Sequence, residues 1–282
     1  MKTKITDLIN FGLINIDKSR GPTSYSISEY VRRQLKLKKT SHMGTLDPMV
    51  TGVLPITLGR ACKLANYFIR HDKTYVGVMH THNEADMKDL QKLIDKNFLG
   101  KIKQTPPRKS AVKIQERERT VYSFKFLEAS VDSRDFLFEC KVEGGTYIRK
   151  ICSDLGGMIG GAHMNELRRT EAGIFSEEDL YTLEEFDISV DSWKEGNDKK
   201  LRKMIIPAKS AIKQVLPYVE IDKSAVKSLY QGKPLFRSNV IKGANELKEG
   251  EVFAAFCKEV FIGIYKKGSE EIIFARSEFV YN

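Results

Sequence analysis

Residues 42–48, with the sequence His-Met-Gly-Thr-Leu-Asp-Pro, place a carboxylate between two residue types that shape tight turns. Gly44 and Pro48 indicate a short loop, which would hold Asp47 at a fixed angle and not on a mobile helix surface. A carboxylate fixed in this way is suited to catalysis. An aspartate that precedes a proline is more often a turn former, and composition and spacing alone do not overturn that interpretation.

Residues 144–149, with the sequence Gly-Gly-Thr-Tyr-Ile-Arg, form a second unusual segment. The two glycines allow close approach of another part of the backbone, and Tyr147 and Arg149 follow two residues apart. A guanidinium group can hold a carboxylate in a fixed bidentate geometry, which is one interpretation of Arg149. The other interpretation is an ordinary structural salt bridge.

The usual sequence signals for a metal or a nucleotide are absent. No Gly-x-x-x-x-Gly-Lys-Ser/Thr loop occurs, and no Gly-x-Gly-x-x-Gly segment follows a predicted strand. His80 and His82 would share one face of a strand, but no third ligand lies nearby in the sequence, which favours solvated or core histidines. The four cysteines are far apart in the sequence and form no Cys-x-x-Cys pair, so we expect no zinc site or disulfide framework. They are Cys62, Cys140, Cys152 and Cys257. The sequence therefore predicts no metal site.

The composition indicates a folded, basic protein. Among 282 residues, Lys and Arg number 47 and Asp and Glu number 37, which gives a formal net charge of +10, and 41% of the residues are hydrophobic. This balance excludes global disorder. No run approaches the roughly 18 apolar residues that a membrane-spanning helix needs, and residues 1–10 lack the apolar core of a signal peptide. We therefore expect a cytoplasmic protein that has no membrane partner.

The excess positive charge lies in the first part of the chain. Residues 217–282 carry ten basic and nine acidic side chains, so nearly all of the net charge precedes them. Such a distribution suggests a polyanionic partner, most simply a nucleic acid. The densest basic cluster lies on a helix predicted over 24–39, with Ser24 or Ser26 as its cap. This basic cluster comprises Arg32, Arg33, Lys36, Lys38 and Lys39. It is either a solvated helix face or an RNA-binding surface.

The elements that must position these residues alternate irregularly between strands and helices, which favours an α+β fold over a doubly wound one. Apolar periodicity predicts strands over 73–80, 120–127 and 135–142 and helices over 87–98 and 148–159. Residues 187–200 are predicted to form a polar surface excursion. The pattern changes after residue 216 to that of a small β-rich domain. Its predicted elements are a helix over 222–230 and strands over 252–257, 259–266 and 271–275.

Several segments in a fixed order resemble the TruB/dyskerin family of RNA pseudouridine synthases, from about residue 12 to the C-terminus. They are Gly-Leu-Ile-Asn-Ile-Asp-Lys at 12–18, Gly-Pro-Thr-Ser at 21–24, the Asp47 segment at 42–48, Thr-Gly-Val-Leu-Pro at 51–55, Lys-Thr-Tyr at 73–75, Gly-Thr-Tyr-Ile-Arg at 145–149 and Gly-Ala-His-Met-Asn-Glu-Leu-Arg-Arg-Thr at 161–170. The resemblance implies a catalytic domain over 1–216, built on a mixed, mainly antiparallel sheet with flanking helices. It also implies a small, β-barrel-like PUA domain over 217–282 that binds RNA.

The resemblance further implies a role for each matching side chain. Asp47 would initiate cleavage of the uridine C1′–N1 bond, Arg149 would pair with its carboxylate, and Tyr75 would stack on the base. A uracil that is rotated about its ribose must leave the helical stack, and an aromatic ring is a suitable platform for it. Because the reaction is an isomerisation, it requires no cofactor. The substrate-binding residues implied around these three are His42, Tyr147, Leu167 and Lys18.

Two branches of the family differ in their RNA partners. Stand-alone members modify the T-loop of tRNA, whereas the dyskerin branch works in H/ACA ribonucleoproteins with a guide RNA. The short segment after His80, residues 104–113 and the Leu-Arg-Arg-Thr sequence at 167–170 resemble the archaeal dyskerin branch. The resemblance therefore implies a catalytic subunit that acts on rRNA and tRNA with a guide RNA and small accessory proteins. The alternatives are a stand-alone tRNA enzyme and a non-catalytic RNA-binding scaffold.

Overall fold

The computed structural model describes residues 3–105 and 115–282, which form two compact units. One unit comprises Leu13–Ile205, and the other combines the residues up to Gly12 with Ile206–Asn282. The division in the structure thus falls eleven residues before the predicted one, and the N-terminal segment groups with the C-terminal unit. The functional assignment of 1–216 and 217–282 to two domains stays a prediction.

The helices are short, and in the described part of the chain no helix is long and apolar enough to cross a membrane. The α-helices are α1 (Ile5–Asn10), α2 (Ser24–Gln34), α3 (Ala65–Ile69), α4 (Met87–Asn97), α5 (Ile148–Ile159), α6 (Leu183–Lys194), α7 (Lys199–Met204), α8 (Ala208–Val215) and α9 (Val226–Tyr230). Single 3₁₀ turns lie at Arg60–Leu64, Glu177–Asp179, Lys223–Ala225 and Arg237–Asn239.

The strands provide the framework of both units. They are β1 (Phe11–Lys18), β2 (Thr40–His42), β3 (Thr51–Gly59), β4 (Lys73–Thr81), β5 (Gly100–Gln104), β6 (Arg117–Ala129), β7 (Asp135–Val142), β8 (Ala162–Ala172), β9 (Phe175–Ser176), β10 (Ile205–Pro207), β11 (Tyr218–Ile221), β12 (Leu235–Phe236), β13 (Val240–Lys242), β14 (Val252–Cys257), β15 (Val260–Lys267) and β16 (Ile273–Val280).

The sheet of the larger unit runs in the order β1-β3-β8-β4-β7-β6-β5, with β2 on β3 and β9 on β8. Strand β4 pairs antiparallel with β7 and β8, and β6 pairs antiparallel with β5 and β7. Strands β3 and β8 run parallel. The predicted α+β class and its mainly antiparallel sheet are therefore confirmed.

The alternating pattern of β7 shows how the sequence produces this sheet. Phe136, Phe138, Cys140 and Val142 are all at most 1% exposed and share one face, because successive side chains on a strand point to opposite faces. The strand matches its predicted bounds. On the neighbouring β4, Gly77 allows close packing, since a Cβ atom there would lie 2.7 Å from a Phe138 ring carbon.

Two predictions about elements of the larger unit are wrong. Helix α2 ends at Gln34 and not at residue 39, because the backbone at Lys36 turns into the left-handed region at a φ of 52°. Its cap is Thr23, whose hydroxyl accepts a hydrogen bond from the Ser26 amide at 3.0 Å. Residues 187–200 are mostly helical and not a polar excursion. A capping box of Thr182 and Glu185 starts α6, which buries Phe186, Ser189 and Val190.

The smaller unit contains a six-stranded sheet in the order β12-β16-β15-β14-β11-β13. Its pairs are antiparallel except for β11 and β14. The apolar core of this sheet includes Phe253, Ile262 and Tyr265, none of which is exposed. This arrangement confirms the β-rich C-terminal region. The helix predicted over 222–230 is instead a 3₁₀ turn followed by α9, and the last strand begins at Ile273.

Candidate active site

The segment that carries Asp47 connects the antiparallel strands β2 and β3 and is held by α2. The Ser24 hydroxyl, in the first turn of α2, donates to the Leu46 carbonyl at 3.0 Å and accepts from the Leu46 amide at 2.8 Å. Met43 and Val50 are buried on either side of the carboxylate, which is itself 47% exposed. The loop thus has buried anchors and presents Asp47 outward.

Lys18, at the end of β1, holds the other side of this loop. Its ammonium group is fully buried and donates to the carbonyls of Ser19 and Pro48 at 3.0 Å and of Val50 at 2.8 Å. Burial lowers the pKa of Lys18, and the negative charge of Asp47 acts in the opposite direction. The structure therefore places Lys18 against the Asp47 loop, and its role at the edge of the site stays a prediction.

Arg149 forms an ion pair with Asp47, although the two residues are far apart in the sequence. The Arg149 Nη2 atom lies 3.1 Å from Asp47 Oδ2, and both side chains are about half exposed. Arg149 is the second residue of α5, so the helix fixes where its side chain starts. The geometry agrees with the implied pairing, in which Arg149 orients the carboxylate.

Tyr75 lies on the buried face of β4 and is 9% exposed. Its direct neighbours in the sheet are Cys140 on β7 and Arg169 on β8. Burial raises the pKa of Tyr75, while the charge of Arg169 and a side-chain hydrogen bond to it act against that increase. The negative charge of Asp47 also reaches this hydroxyl and raises its pKa further. Tyr75 therefore belongs to the surroundings of Asp47.

Arg169 is a residue of this site that the sequence prediction missed. It is 1% exposed, its Nε atom donates to the Val53 carbonyl at 2.8 Å, and its Nη2 atom donates to the Gly44 carbonyl at 3.0 Å. Gly44 permits this contact, because it has a φ of 91° and a Cβ atom there would lie 3.1 Å from Arg169 Nη1. Arg169 thus links the Asp47 loop to the strand beside Tyr75.

The other implied pocket residues lie on elements that surround these groups. His42 ends β2, and its Nε2 atom lies 3.0 Å from the Thr45 hydroxyl; burial, followed by the charge of Arg169, lowers its pKa. Leu167 is 7% exposed and lies opposite Gly77. Tyr147 precedes α5, and its backbone amide donates to Gln104 Oε1 at 2.9 Å. The buried Gln104 is a second residue that sequence reasoning missed.

Lys73, two residues before Tyr75, adds another buried cation. It is 4% exposed and donates hydrogen bonds to the carbonyls of Ile69 and His71. Burial, followed by the charge of Arg169, lowers the pKa of Lys73 to about 8. Most of this pKa decrease reflects the unfavourable burial of a charged amine.

Lys73 should make the protein more stable as the pH rises from about 8 to about 10.5. In the unfolded chain, Lys73 has the ordinary lysine pKa of 10.5 and therefore stays protonated in this pH window. In the folded chain it has already released its proton. The free energy of unfolding should therefore increase by up to about 1.4 kcal/mol per pH unit. Chemical unfolding of the wild type and Lys73→Met at several pH values measures this difference. Equal pH slopes would contradict it, and the exposed Lys125→Met should leave the slope unchanged.

The basic cluster differs in character along its length. Arg32 and Arg33 both bind Glu29, with nitrogen–oxygen distances of 2.7 Å and 3.1 Å. Lys36, Lys38 and Lys39 lie beyond the end of α2 and are exposed. No ion pair with these three lysines occurs among the described residues. The lysines are therefore better placed than the arginines to contact phosphates.

The two histidines of β4 acquire a neighbour that the sequence prediction did not include. His163 on β8 lies opposite His80, and the ring centres of His80, His82 and His163 are 5.2–6.5 Å apart. His80 Nδ1 is 2.8 Å from an oxygen of Asp135. Within residues 3–105 and 115–282, no group of three or more histidine, cysteine or carboxylate side chains is arranged to hold a metal ion.

Two family profiles match consecutive parts of the chain. The profile of the TruB family pseudouridylate synthase N-terminal domain matches residues 32–148, and that of the tRNA pseudouridylate synthase B C-terminal domain matches residues 149–213. The "Probable tRNA pseudouridine synthase B" of Korarchaeum cryptofilum (strain OPF8) is 42% identical over 249 residues, which cover 87% of this chain and 75% of that protein. The protein of the same name from Methanopyrus kandleri is 38% identical over 276 residues, covering 96% and 80%.

Solved structures extend the similarity to nearly the whole chain. A chain in the structure of an H/ACA RNP bound to a substrate RNA containing 2′-deoxyuridine has a TM-score of 0.87 and 34% identity, and the match covers 100% of this chain and 88% of that chain. A chain of a Cbf5-Nop10-Gar1 complex has a TM-score of 0.87 and 36% identity, covering 99% and 87%. Fold, site and relatives together define an RNA pseudouridine synthase, an isomerase that converts uridine to pseudouridine. The chain belongs to the TruB family of these enzymes, which confirms the predicted family.

Proposed function

We propose that this pseudouridine synthase is the catalytic subunit of an H/ACA particle, in which a guide RNA selects uridines of rRNA and tRNA. The similar chains come from solved H/ACA complexes, one of them with substrate RNA and another with Nop10 and Gar1. Small accessory proteins of this kind would be partners of this chain too. The archaeal relatives support a cytoplasmic enzyme of an archaeal-type cell.

The observation that carries the proposed chemistry is the ion pair between Asp47 and Arg149 beside Tyr75. Asp47 would initiate cleavage of the C1′–N1 bond, and Arg149 would hold the carboxylate in a fixed orientation. Tyr75 would support the uracil after it has left the stack, with Leu167 and Tyr147 along the pocket. His42 would help to displace the target base, and Lys18 would hold the Asp47 loop.

The C-terminal unit would serve as a PUA domain that binds RNA outside the active site. Its six-stranded sheet is compatible with such a module. Because residues 217–282 are nearly neutral, we propose that this domain recognises RNA mainly by shape and not by charge. Of the segment that supports the archaeal branch, residues 106–113 lie outside the described residues.

Activity with and without a guide RNA tests the proposed mode of action. The protein is incubated with unmodified tRNA and rRNA fragments, alone and with guide RNA and accessory proteins, and pseudouridine positions are mapped. We expect modification of rRNA only when guide RNA is present. Efficient modification of the tRNA T-loop by the protein alone would support the stand-alone tRNA enzyme; the names of the curated relatives mention tRNA as the substrate.

The three exposed lysines of the basic cluster should determine part of the salt dependence of RNA binding. Each phosphate contact contributes about 0.7–0.9 to the slope of log affinity against log salt concentration. The variant Lys36→Gln/Lys38→Gln/Lys39→Gln should therefore flatten this slope by about 2, similarly for unrelated RNAs. Arg32→Gln/Arg33→Gln should change it by less than about 1, because Glu29 already binds both arginines. An unchanged slope in the lysine variant would identify a solvated helix end.

A further inference from the structure

Among the residues that the structure describes, the buried guanidinium group of Arg169 has no acidic partner. Its described contacts are the carbonyls of Val53 and Gly44 and the hydroxyl of Tyr75. No carboxylate of the described residues forms an ion pair with it. Burial of a charge that no opposite charge compensates is strongly unfavourable. Such a group calls for an explanation beyond packing.

The charge of Arg169 acts on several groups around the Asp47 loop. Burial is the largest cause of the lowered pKa of His42 and of the lowered pKa of Lys73, which is about 8. The positive charge of Arg169 is the second cause at both residues. It also opposes the effect of burial on the pKa of Tyr75. The buried Lys18 and Arg169 also place two basic side chains against the Asp47 loop, where they donate to the carbonyls of Pro48 and Gly44. The site is therefore prepared for more negative charge than Asp47 alone supplies.

We propose that Arg169 is a positioning residue of the reaction, which acts through the Tyr75 hydroxyl to stabilise the negative charge on the uracil released from the ribose. The inference rests on the proposed function, because it requires the uracil to lie on Tyr75. A hydroxyl whose oxygen accepts a hydrogen bond from a guanidinium is a stronger donor toward an electron-rich group. The register that pairs Tyr75 with Arg169 supplies this arrangement.

The charge that Arg169 would stabilise exists only during the reaction. When the C1′–N1 bond breaks, its electron pair stays on the uracil and spreads over N1, O2 and O4. C1′ is left electron-deficient; the base rotates, the uracil anion donates its electron pair from C5 to C1′, the C5 proton passes to solvent and N1 takes up a proton from solvent, so atoms and charge balance. A fixed cation that stabilises negative charge formed only in the transition state increases the rate of the step more than it increases substrate affinity.

A purely structural role for Arg169 is the competing explanation, since its hydrogen bonds also hold the backbone at Gly44 and Val53. Two substitutions separate the roles. Arg169→Gln keeps amide donors for the carbonyls but removes the charge, whereas Arg169→Lys keeps the charge with fewer donors. Arg168→Met is the control on the same strand, because it also removes an arginine, one whose charge is already paired with Asp17 and Glu177. Thermal unfolding verifies that each variant is folded.

The experiment measures single-turnover rates and RNA affinities with two substrates. One RNA carries uridine at the target position, and the other carries 5-fluorouridine, whose electron-poor base leaves more easily but has no C5 proton to lose, so that the two substrates share only bond cleavage and formation of the C5–C1′ bond. Turnover of both substrates is followed as loss of the N-glycosidic nucleoside. With uridine, we expect Arg169→Gln to lower the rate about 100-fold, with Arg169→Lys within about tenfold of wild type. RNA affinity should stay within about threefold of wild type, and Arg168→Met should react at nearly the normal rate.

The comparison between the substrates gives the decisive result. If Arg169 stabilises charge on the leaving base, the defect of Arg169→Gln should shrink to less than about tenfold with 5-fluorouridine. Equal defects with both substrates, or a faster Arg169→Gln than Arg169→Lys, would overturn the proposal. If Arg169→Gln does not fold, Tyr75→Phe replaces it, since it removes the connecting hydroxyl and should show the same substrate dependence. Inactivity of the wild type under all guide conditions would instead contradict the proposed function.

Discussion

Replacement of Asp47 by Asn should abolish pseudouridine formation while RNA affinity stays within about threefold of the wild type. An amide has nearly the same shape as the carboxylate but cannot serve as an anionic catalyst. We expect the single-turnover rate to fall by more than about 10⁴-fold, as for other enzymes that lose a central catalytic group. Affinity should persist because binding depends on charge distributed over the basic regions of the chain.

The control for Asp47→Asn is Asp17→Asn, which removes a carboxylate that also pairs with an arginine. Asp17 accepts two hydrogen bonds of 3.0 Å from Arg168. Both variants lose one negative charge, but only the Asp47 variant changes the group in the proposed reaction centre. We expect Asp17→Asn to retain most of the activity. Turnover by Asp47→Asn within about tenfold of the wild type would contradict the proposed mechanism.

Tyr75→Ala should reduce the single-turnover rate about 100-fold or more. Base stacking on an aromatic side chain contributes roughly 1–3 kcal/mol, and the alanine variant also loses the hydroxyl that contacts Arg169. The measurement is the rate at saturating enzyme, together with RNA affinity. Tyr75→Phe keeps the ring and should bind RNA nearly as well as the wild type.

Loss of packing at Tyr75 requires its own control, since the side chain is 9% exposed. Phe126 has a comparable exposure of 8% and lies on the neighbouring part of the same sheet, outside the proposed site. Phe126→Ala should lower the unfolding temperature to a similar degree, because both substitutions remove a buried ring. Its turnover, measured below the unfolding temperature, should remain near that of the wild type. A single-turnover rate of Tyr75→Ala equal to that of the wild type would contradict the proposed stacking role of Tyr75.

Local periodicity predicted the strands well, and tertiary arrangement explains what it missed. The alternation of Phe136, Phe138 and Cys140 needs only one buried face, so β7 is evident from the sequence. In 187–200, frequent charges outweighed Val190, which lies four residues after Phe186 and with it marks the buried side of α6. The capping box that precedes them was the signal that could have identified this helix.

The part of the site that lies within one continuous segment could be predicted from the sequence. The loop around Asp47 is visible from its turn residues, but its contact with Arg149 came from family resemblance, because more than a hundred residues separate them. Arg168 and Arg169 are adjacent, and no local pattern shows which of them faces the interior. Their opposite environments follow from strand alternation in β8. His163 likewise meets His80 only through the register of two strands.

The dense anchoring of the Asp47 loop determines which molecule must change shape when RNA binds. Lys18, Ser24 and Arg169 attach this loop to three other elements, so moving the carboxylate would break several buried hydrogen bonds at once. The energetic cost of bringing uridine and carboxylate together therefore falls on the RNA, which must release the base from pairing and stacking. That cost is lowest where the target uridine is already unpaired. An enzyme whose catalytic loop is held this firmly should therefore prefer uridines that leave base pairing and stacking at a low energetic cost.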